Sequence, residues 1–375
     1  MTVNNQSPFY VKLAFQFLII FFICFFINIA QNILIPFAFA VLVTVLLLPL
    51  VNFLEPKLGK VLSIFISILT AMAFVIGILY FLSSQIAGFI QDVPSIKQHL
   101  NEHFQAVQTW VYHKFSIPFT EQNQYLNEQA DKLKASGTGY IKTTFFSITE
   151  AALLMFLMPI YTFLLLYYRL HIRNFLFILF KKEYSSNVQS VIGKSKTMIR
   201  SYMVGLLIEM AIVATANSVG LVILGIKYAI FFGVLSAVLN IIPYIGMFTA
   251  TLFTVLVTLT TSDRTGDILW IIVIFYGIHI IDTNFLVPRI VASRLRINAL
   301  ISILGILIGG ALTGISGLFL SVPAVAFIKI ICDHIDNLAP WGMLMGDDTT
   351  YAGKTGLYKR LRQISTLQRK RRAGN

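Results

Sequence analysis

A chain of 375 residues that is 57% hydrophobic and only 12% charged sits far below the roughly 25% charged residues of a water-soluble domain, which excludes an ordinary soluble globular protein. The net charge of +13 would suit a nucleic-acid binder, but the excess is gathered between Arg169 and Arg200, opposed only by Glu183, and between Lys354 and Arg372. That clustering is the pattern of cytoplasmic loops in a membrane protein, and it argues against a nucleic-acid partner.

No charge occurs from Leu13 to Leu54, or from Val61 to Gln91. Runs of 18 or more apolar residues are spanning candidates, and lipid admits only helices or closed barrels. The runs lack the period-two alternation of barrel strands, so helices are predicted at 11–30, 33–54 and 61–90. The first run starts late, lacks a basic leader and continues into a second helix, so a cleaved signal peptide is not expected. Cys24 and Cys332 lie in apolar segments and offer neither a disulfide framework nor metal-ligand spacing; no cofactor and no metal is expected.

Residues 91–143 change character, with five basic and five acidic residues. Ile96, Leu100, Phe104, Val107 and Val111 recur at spacings of three and four, predicting an amphipathic helix ended by Pro118. Tyr125, Leu126, Ala130 and Leu133 suggest a second helix, ended by Gly137 and Gly139. Balanced charge lets such a segment cross the membrane, so it reads as a small extracytoplasmic helical insert.

A fourth spanning helix is predicted at 145–168, followed by the basic link and a fifth at 202–225. Two long uncharged stretches are then interrupted in the middle. Tyr228 to Ser262 is broken at Pro243, Tyr244 and Gly246; Ile297 to Ile328 is broken around Gly309, Gly310, Gly314 and Gly317. Each half would reach about 21–24 Å as helix, against a hydrocarbon core of about 30 Å. Between them lies a helix from Asp267 to about Val287, leading into Arg289, Arg294 and Arg296. If every basic link is to lie inside, each broken stretch must enter and leave on one face. Paired broken segments of this kind point to a transport site. The expected fold is an all-α polytopic membrane protein with about six full transmembrane helices and two broken or re-entrant hairpins. It divides into 1–90, 91–143, 144–225, a transport core at 226–336 and a basic tail at 337–375. That tail, with Arg369, Lys370, Arg371 and Arg372, is expected to meet anionic lipid headgroups.

Several polar residues in apolar surroundings are candidates for the site. Asn240 and Tyr244 flank the first break, where Pro243 frees backbone carbonyls that could hold a hydroxyl or a cation. Asp282 is a carboxylate at membrane depth, costing about 2.5–3.5 kcal/mol on insertion scales. It could form a proton relay with His279, or pair with Arg289. Glu209 could bind a coupling ion, or a basic residue of a neighbouring subunit. Gly309 and Gly310 could line a path or let helices approach closely. Gly193, Lys194 and Ser195 lack the earlier glycine and strand of a phosphate-binding loop, leaving ion or solute gradients as the energy source.

The run Asn240, Pro243, Tyr244, Gly246, then Asp282, Asn284, Leu286, Pro288, Arg289, then Gly309, Gly310, Gly314, Gly317, Val322 and Pro323 resembles the autoinducer-2 exporter (AI-2E) family. It departs at Met247, where the family often has proline, and at Leu206, where it often has an amide. The resemblance implies a bacterial inner-membrane homo-oligomer, pentameric in that family, exporting a small signalling metabolite or, in some relatives, exchanging sodium for protons. The substrate-binding candidates are Asn240, Pro243, Tyr244, Gly246, Asn284, Ser302, Gly309 and Gly310; the ion-coupling candidates are Asp282, Glu209 and His279. The leading expectation is a secondary transporter and not an enzyme. The alternatives are a sodium/proton antiporter and a non-transporting scaffold with 91–143 as its binding module.

Overall fold

A computed structural model describes residues 9–124, 128, 148–181, 184–240, 245–261, 266–291, 295 and 297–347. Its main elements are helices: α1 (Phe9–Ile29), α2 (Gln31–Leu58), α3 (Lys60–Phe115), α4 (Ile148–Tyr167), α5 (Arg169–Leu179), α6 (Ser185–Ile223), α7 (Ala229–Leu239), α8 (Ile245–Thr261), α9 (Gly266–Ile281), α10 (Ala299–Cys332) and α11 (Ala339–Met345). A π-helical segment, Asp282–Val291, continues α9. Among the described residues five helical stretches are long and apolar enough to cross a membrane: 31–58, 60–86, 185–223, 266–291 and 299–332. The pair Met155–Tyr167 and Arg169–Leu179 makes a sixth if counted as one span.

The chain forms two compact units. The first comprises Met1–Leu46, Tyr168–Leu206 and Val287–Asn375; the second comprises Leu47–Tyr167 and Leu207–Leu286.

In the second unit, Leu221, Ile226, Phe231, Phe232, Ala250, Val257, Ile271 and Phe275 form one buried cluster drawn from α6, α7, α8 and α9. The predicted first broken segment is here as α7 and α8. The two helices lie so close that a β-carbon at Gly246 would collide with the backbone of Leu239 and Asn240. Pro243 and Tyr244, the centre of the predicted break, lie outside the described residues. The helix predicted at 61–90 and the amphipathic one after it are a single helix, α3, of 56 residues and about 84 Å. Ser116 ends it in the left-handed conformation at φ 55°, its N–H donating to Tyr112 O. The chain then turns back: Tyr112 stacks on Phe119 at 5.3 Å, and Gln108 Nε2 donates to Asn123 Oδ1 at 2.7 Å. The second predicted helix of the insert lies almost wholly outside the described residues.

In the first unit, Leu42, Met198, Ile199, Tyr202, Val291, Leu295 and Ala326 form the core. Helix α6 starts at Ser185, well before the predicted 202, so part of the basic link is itself helical. The second broken segment is α10, which leaves helical geometry at Thr313 (φ −138°) and Gly314 (φ 63°). Its two arms lie against each other. A β-carbon on Gly305 would come 3.9 Å from Val325 Cβ, and one on Gly309 would come 2.9 Å from Ser321 Cβ. In a straight helix positions 305 and 325 would be about 30 Å apart, so α10 is a hairpin. Asn28 Nδ2 caps its turn by donating to Leu312 O at 3.2 Å. At the other end Asn298 accepts from Ile301 N–H at 2.9 Å as the N-cap. The Asn298 amide also donates to Leu344 O at 2.7 Å, tying the end of α11 to the start of the hairpin.

Candidate functional site

Three elements of the second unit supply the polar cluster. Helix α6 carries Glu209 and Asn217, eight residues apart and therefore on one face. Helix α7 carries Ser236 and ends at Asn240, whose backbone N–H still bonds back to Ser236 O. Asp282 stands where α9 passes into the π-helical segment, a local widening that re-aims side chains and recurs at functional sites.

The geometry is set by two side-chain amides. Asn240 Nδ2 donates to Glu209 Oε1 and to Asp282 Oδ2, both at 2.9 Å. Asn217 Nδ2 donates to Ser236 Oγ at 2.8 Å, and Ser236 Oγ donates to Gly233 O at 2.7 Å. These bonds require α6 and α7 to run nearly in backbone contact. Gly233 permits it, since any β-carbon there would strike Ser218. The groups are withdrawn from solvent: Glu209 is 7% exposed, Asp282 3%, Asn217 3% and Ser236 2%.

Asn217, Ser236, Asn240, His279 and Asp282 line one small cavity, walled otherwise by Val213, Met247, Phe275 and Ile278. It measures about 10 Å³, the scale of one water and far below the roughly 300 Å³ of a small-molecule pocket. No lysine or arginine lines it among the described residues. Two buried carboxylates therefore share one neutral amide. Burying charge without a partner is expensive, so the pair calls for a positive counter-charge, either a proton or a cation.

The predicted residues divide clearly. Glu209, Asn240, Asp282 and His279 come together. His279 Nε2 lies 3.5 Å from Thr283 Oγ1, and Asp282 Oδ2 accepts from Asn240. Asn284 turns its amide to the Ile280 carbonyl of its own helix at 2.8 Å, and Ser302 Oγ turns to Asn298 O at 3.1 Å. Gly246 sits against the end of α7, while Gly309 and Gly310 bring the arms of α10 together against Gly317 and Leu318. Thr251 and Thr254 bond to the Met247 and Ala250 carbonyls of α8, as threonines in apolar helices commonly do. Asn217 and Ser236 were not anticipated. The available signal was the eight-residue spacing of Glu209 and Asn217 within an otherwise apolar span.

The profile of AI-2E family transporters matches residues 15–337. Candidate transport proteins from bacteria are similar along much of their length. YueF of Bacillus subtilis is 25% identical over 303 residues, covering 77% of this chain and 80% of YueF. A Haemophilus influenzae protein is 23% identical over 332 residues, covering 86% and 92%. YrrI of Bacillus subtilis is 30% identical over a shorter stretch of 133 residues, covering 36% and 37%.

Proposed function

The chain belongs to the AI-2E transporter family, and from that premise we propose that it is an ion-coupled secondary transporter exporting a small, hydroxyl-rich signalling metabolite of the autoinducer-2 kind. It is a multi-pass membrane protein. In this reading it sits in the bacterial cytoplasmic membrane as a homo-oligomer, with its basic tail on the cytoplasmic side, where anionic lipid attracts it.

The observation that carries the coupling is the pair Glu209 and Asp282, buried and bridged by the single amide of Asn240. A carboxylate pair changes its charge by taking up or releasing a proton, and a change of charge at membrane depth biases any element it holds. Asn240 ends α7, so a proton on either acid alters how firmly that helix end is tied to α6 and α9. One proton entering per metabolite exported would make about 2.3 kcal/mol available per 100 mV. That corresponds to about 50-fold accumulation at 1.36 kcal/mol per tenfold.

Proteoliposomes with an imposed pH gradient test this. Wild-type protein is expected to accumulate autoinducer-2 against its concentration gradient, whereas Glu209→Gln and Asp282→Asn only equilibrate it. Wild-type vesicles showing no gradient-dependent flux of any hydroxylated metabolite in a broad panel would end the proposal.

A further inference from the structure

His334 follows the last turn of α10 and is met by three side chains of α6, all within the first unit. Asn187 Nδ2 donates to His334 O at 3.4 Å, Ser190 Oγ lies 3.1 Å from the ring Nε2, and Lys194 Nζ lies 3.0 Å from the same nitrogen. Residues 187, 190 and 194 are spaced by three and four, so they share one face of α6. None of these groups belongs to the cluster around Asn240.

The protonation of the ring is dictated by its neighbours. Nδ1 lies 2.7 Å from Ile330 O, four residues back on α10. A carbonyl only accepts, so Nδ1 carries the hydrogen. The Lys194 ammonium only donates, so Nε2 must offer its lone pair. Two separate contacts thus select the same neutral tautomer. Imidazole is the side chain that changes charge between about pH 5 and pH 8. A second proton on this ring goes to Nε2. It removes the acceptor that Lys194 uses and sets two positive charges 3.0 Å apart. The Ser190 hydroxyl can rotate to accept from the new N–H; Lys194 has no such adjustment and must withdraw.

The other charges around the ring do not offset this. Asp333 accepts from Lys329 at 2.6 Å on α10, and its Oδ1 lies against Gly342 of α11. Helix α11 itself carries no titratable side chain, and Asp336 stands in the short turn before it. On α6, Lys196 and Arg200 lie off the face of Lys194 by helical phase. Deeper along the same two helices, Met198, Ile199 and Tyr202 share a core with Ala326, and pH does not touch that apolar part. Only the polar end of the contact is sensitive.

We propose that His334, with Ser190 and Lys194, is a pH-sensitive latch that ties the end of the α10 hairpin to α6 at alkaline pH and releases it on acidification. In the orientation proposed above this end faces the cytoplasm, so the latch reads cytoplasmic pH. It holds whatever the cargo or coupling ion.

Hydrogen exchange of the full-length chain in detergent tests this, read on peptides spanning 330–346 and corrected for the intrinsic effect of pH. Wild type is expected to exchange about fivefold faster near pH 5.5 than near pH 8, the effect of losing roughly one hydrogen bond. His334→Gln, which does not titrate, should abolish the step. Lys194→Met, at an exposed position, should abolish it too, because the imidazolium then faces no charge. Lys194→Arg should keep it, and His171→Gln, at an exposed histidine of α5, should leave it as in wild type. If His334→Gln fails to fold, Lys194→Met carries the comparison. Nitrogen NMR of histidine-labelled wild type, with the His334 signal identified by its loss in the variant or its shift in Lys194→Met, should show the Nδ1–H tautomer near pH 8. A folded wild type without the step overturns the latch, as does a full step surviving in either variant, or the opposite tautomer. Metabolite flux bears on none of these outcomes, so the latch and the choice of cargo fail separately.

Discussion

Asn240 has two amide hydrogens, and both are directed at carboxylates. Asn240→Leu keeps the volume near that of the amide and leaves Glu209 and Asp282 buried without the amide that joins them. Each charge-assisted hydrogen bond lost costs about 1.5–3 kcal/mol, so its melting temperature in detergent should fall well below that of wild type. The combination of Asn240→Leu, Glu209→Gln and Asp282→Asn should recover most of the loss, because the stranded charges are gone and the effects are coupled. Additive losses across the three substitutions would show that Asn240 does not bridge the pair. A parallel case stands in the first unit. Lys329 Nζ donates to Asp333 Oδ2 at 2.6 Å, with the lysine side chain 4% exposed. Asp333→Ala leaves that buried ammonium short of its partner, and removing one member of a buried pair costs about 3–5 kcal/mol, readable as a large fall in melting temperature. Lys329→Met together with Asp333→Ala should be milder. At this scale the acids were legible, since a carboxylate in an apolar run stands out. Asn217 and Ser236 were not, because a single amide or hydroxyl in a helix is common and its meaning depends on what faces it.

Helices α7, α8 and α10 show what a break in a hydrophobic stretch becomes. Glycines at Gly309, Gly310, Gly314 and Gly317 correctly marked a fold-back, since only a residue free of Cβ strain takes φ 63° readily at the turn. At Gly309 and Gly310 the close approach, one of the two readings given for them, is what is seen: their missing side chains admit the opposite arm of α10. The hairpin is open to a direct check. Gly305→Cys with Val325→Cys, in a background where Cys24 and Cys332 are replaced by serine, should form a disulfide on mild oxidation. The β-carbon separation there is 3.9 Å, within the roughly 3.5–4.5 Å that a disulfide spans. A straight rod would hold those positions about 30 Å apart and give no cross-link. The long α3 was not legible in the same way. The periodicity at 96–111 identified a helix, but periodicity says nothing about whether a helix is separate from the one before it.

The insert is tied together by its own contacts, Tyr112 to Phe119 and Gln108 to Asn123, whereas, among the described residues, the buried cluster of the second unit meets α3 at Leu82. Replacing residues 91–143 by a short flexible linker is therefore expected to leave gradient-driven metabolite flux largely intact in proteoliposomes. Loss of every measurable activity on that replacement, with the protein still folded and inserted, would favour the scaffold reading instead. Hydropathy is additive along a chain, and so is the effect of proline and glycine on local backbone. For that reason the membrane class, the main spans, the two interruptions and the family motifs could be read from the sequence alone. Which polar groups meet is not additive. Glu209, Asn217, Ser236, Asn240 and Asp282 come from three helices, and their encounter depends on Gly233 letting α6 and α7 touch and on the π-helical turn at Asp282. Those approaches exist only once the helices are packed, so the tertiary structure alone decided the composition and the small size of the site.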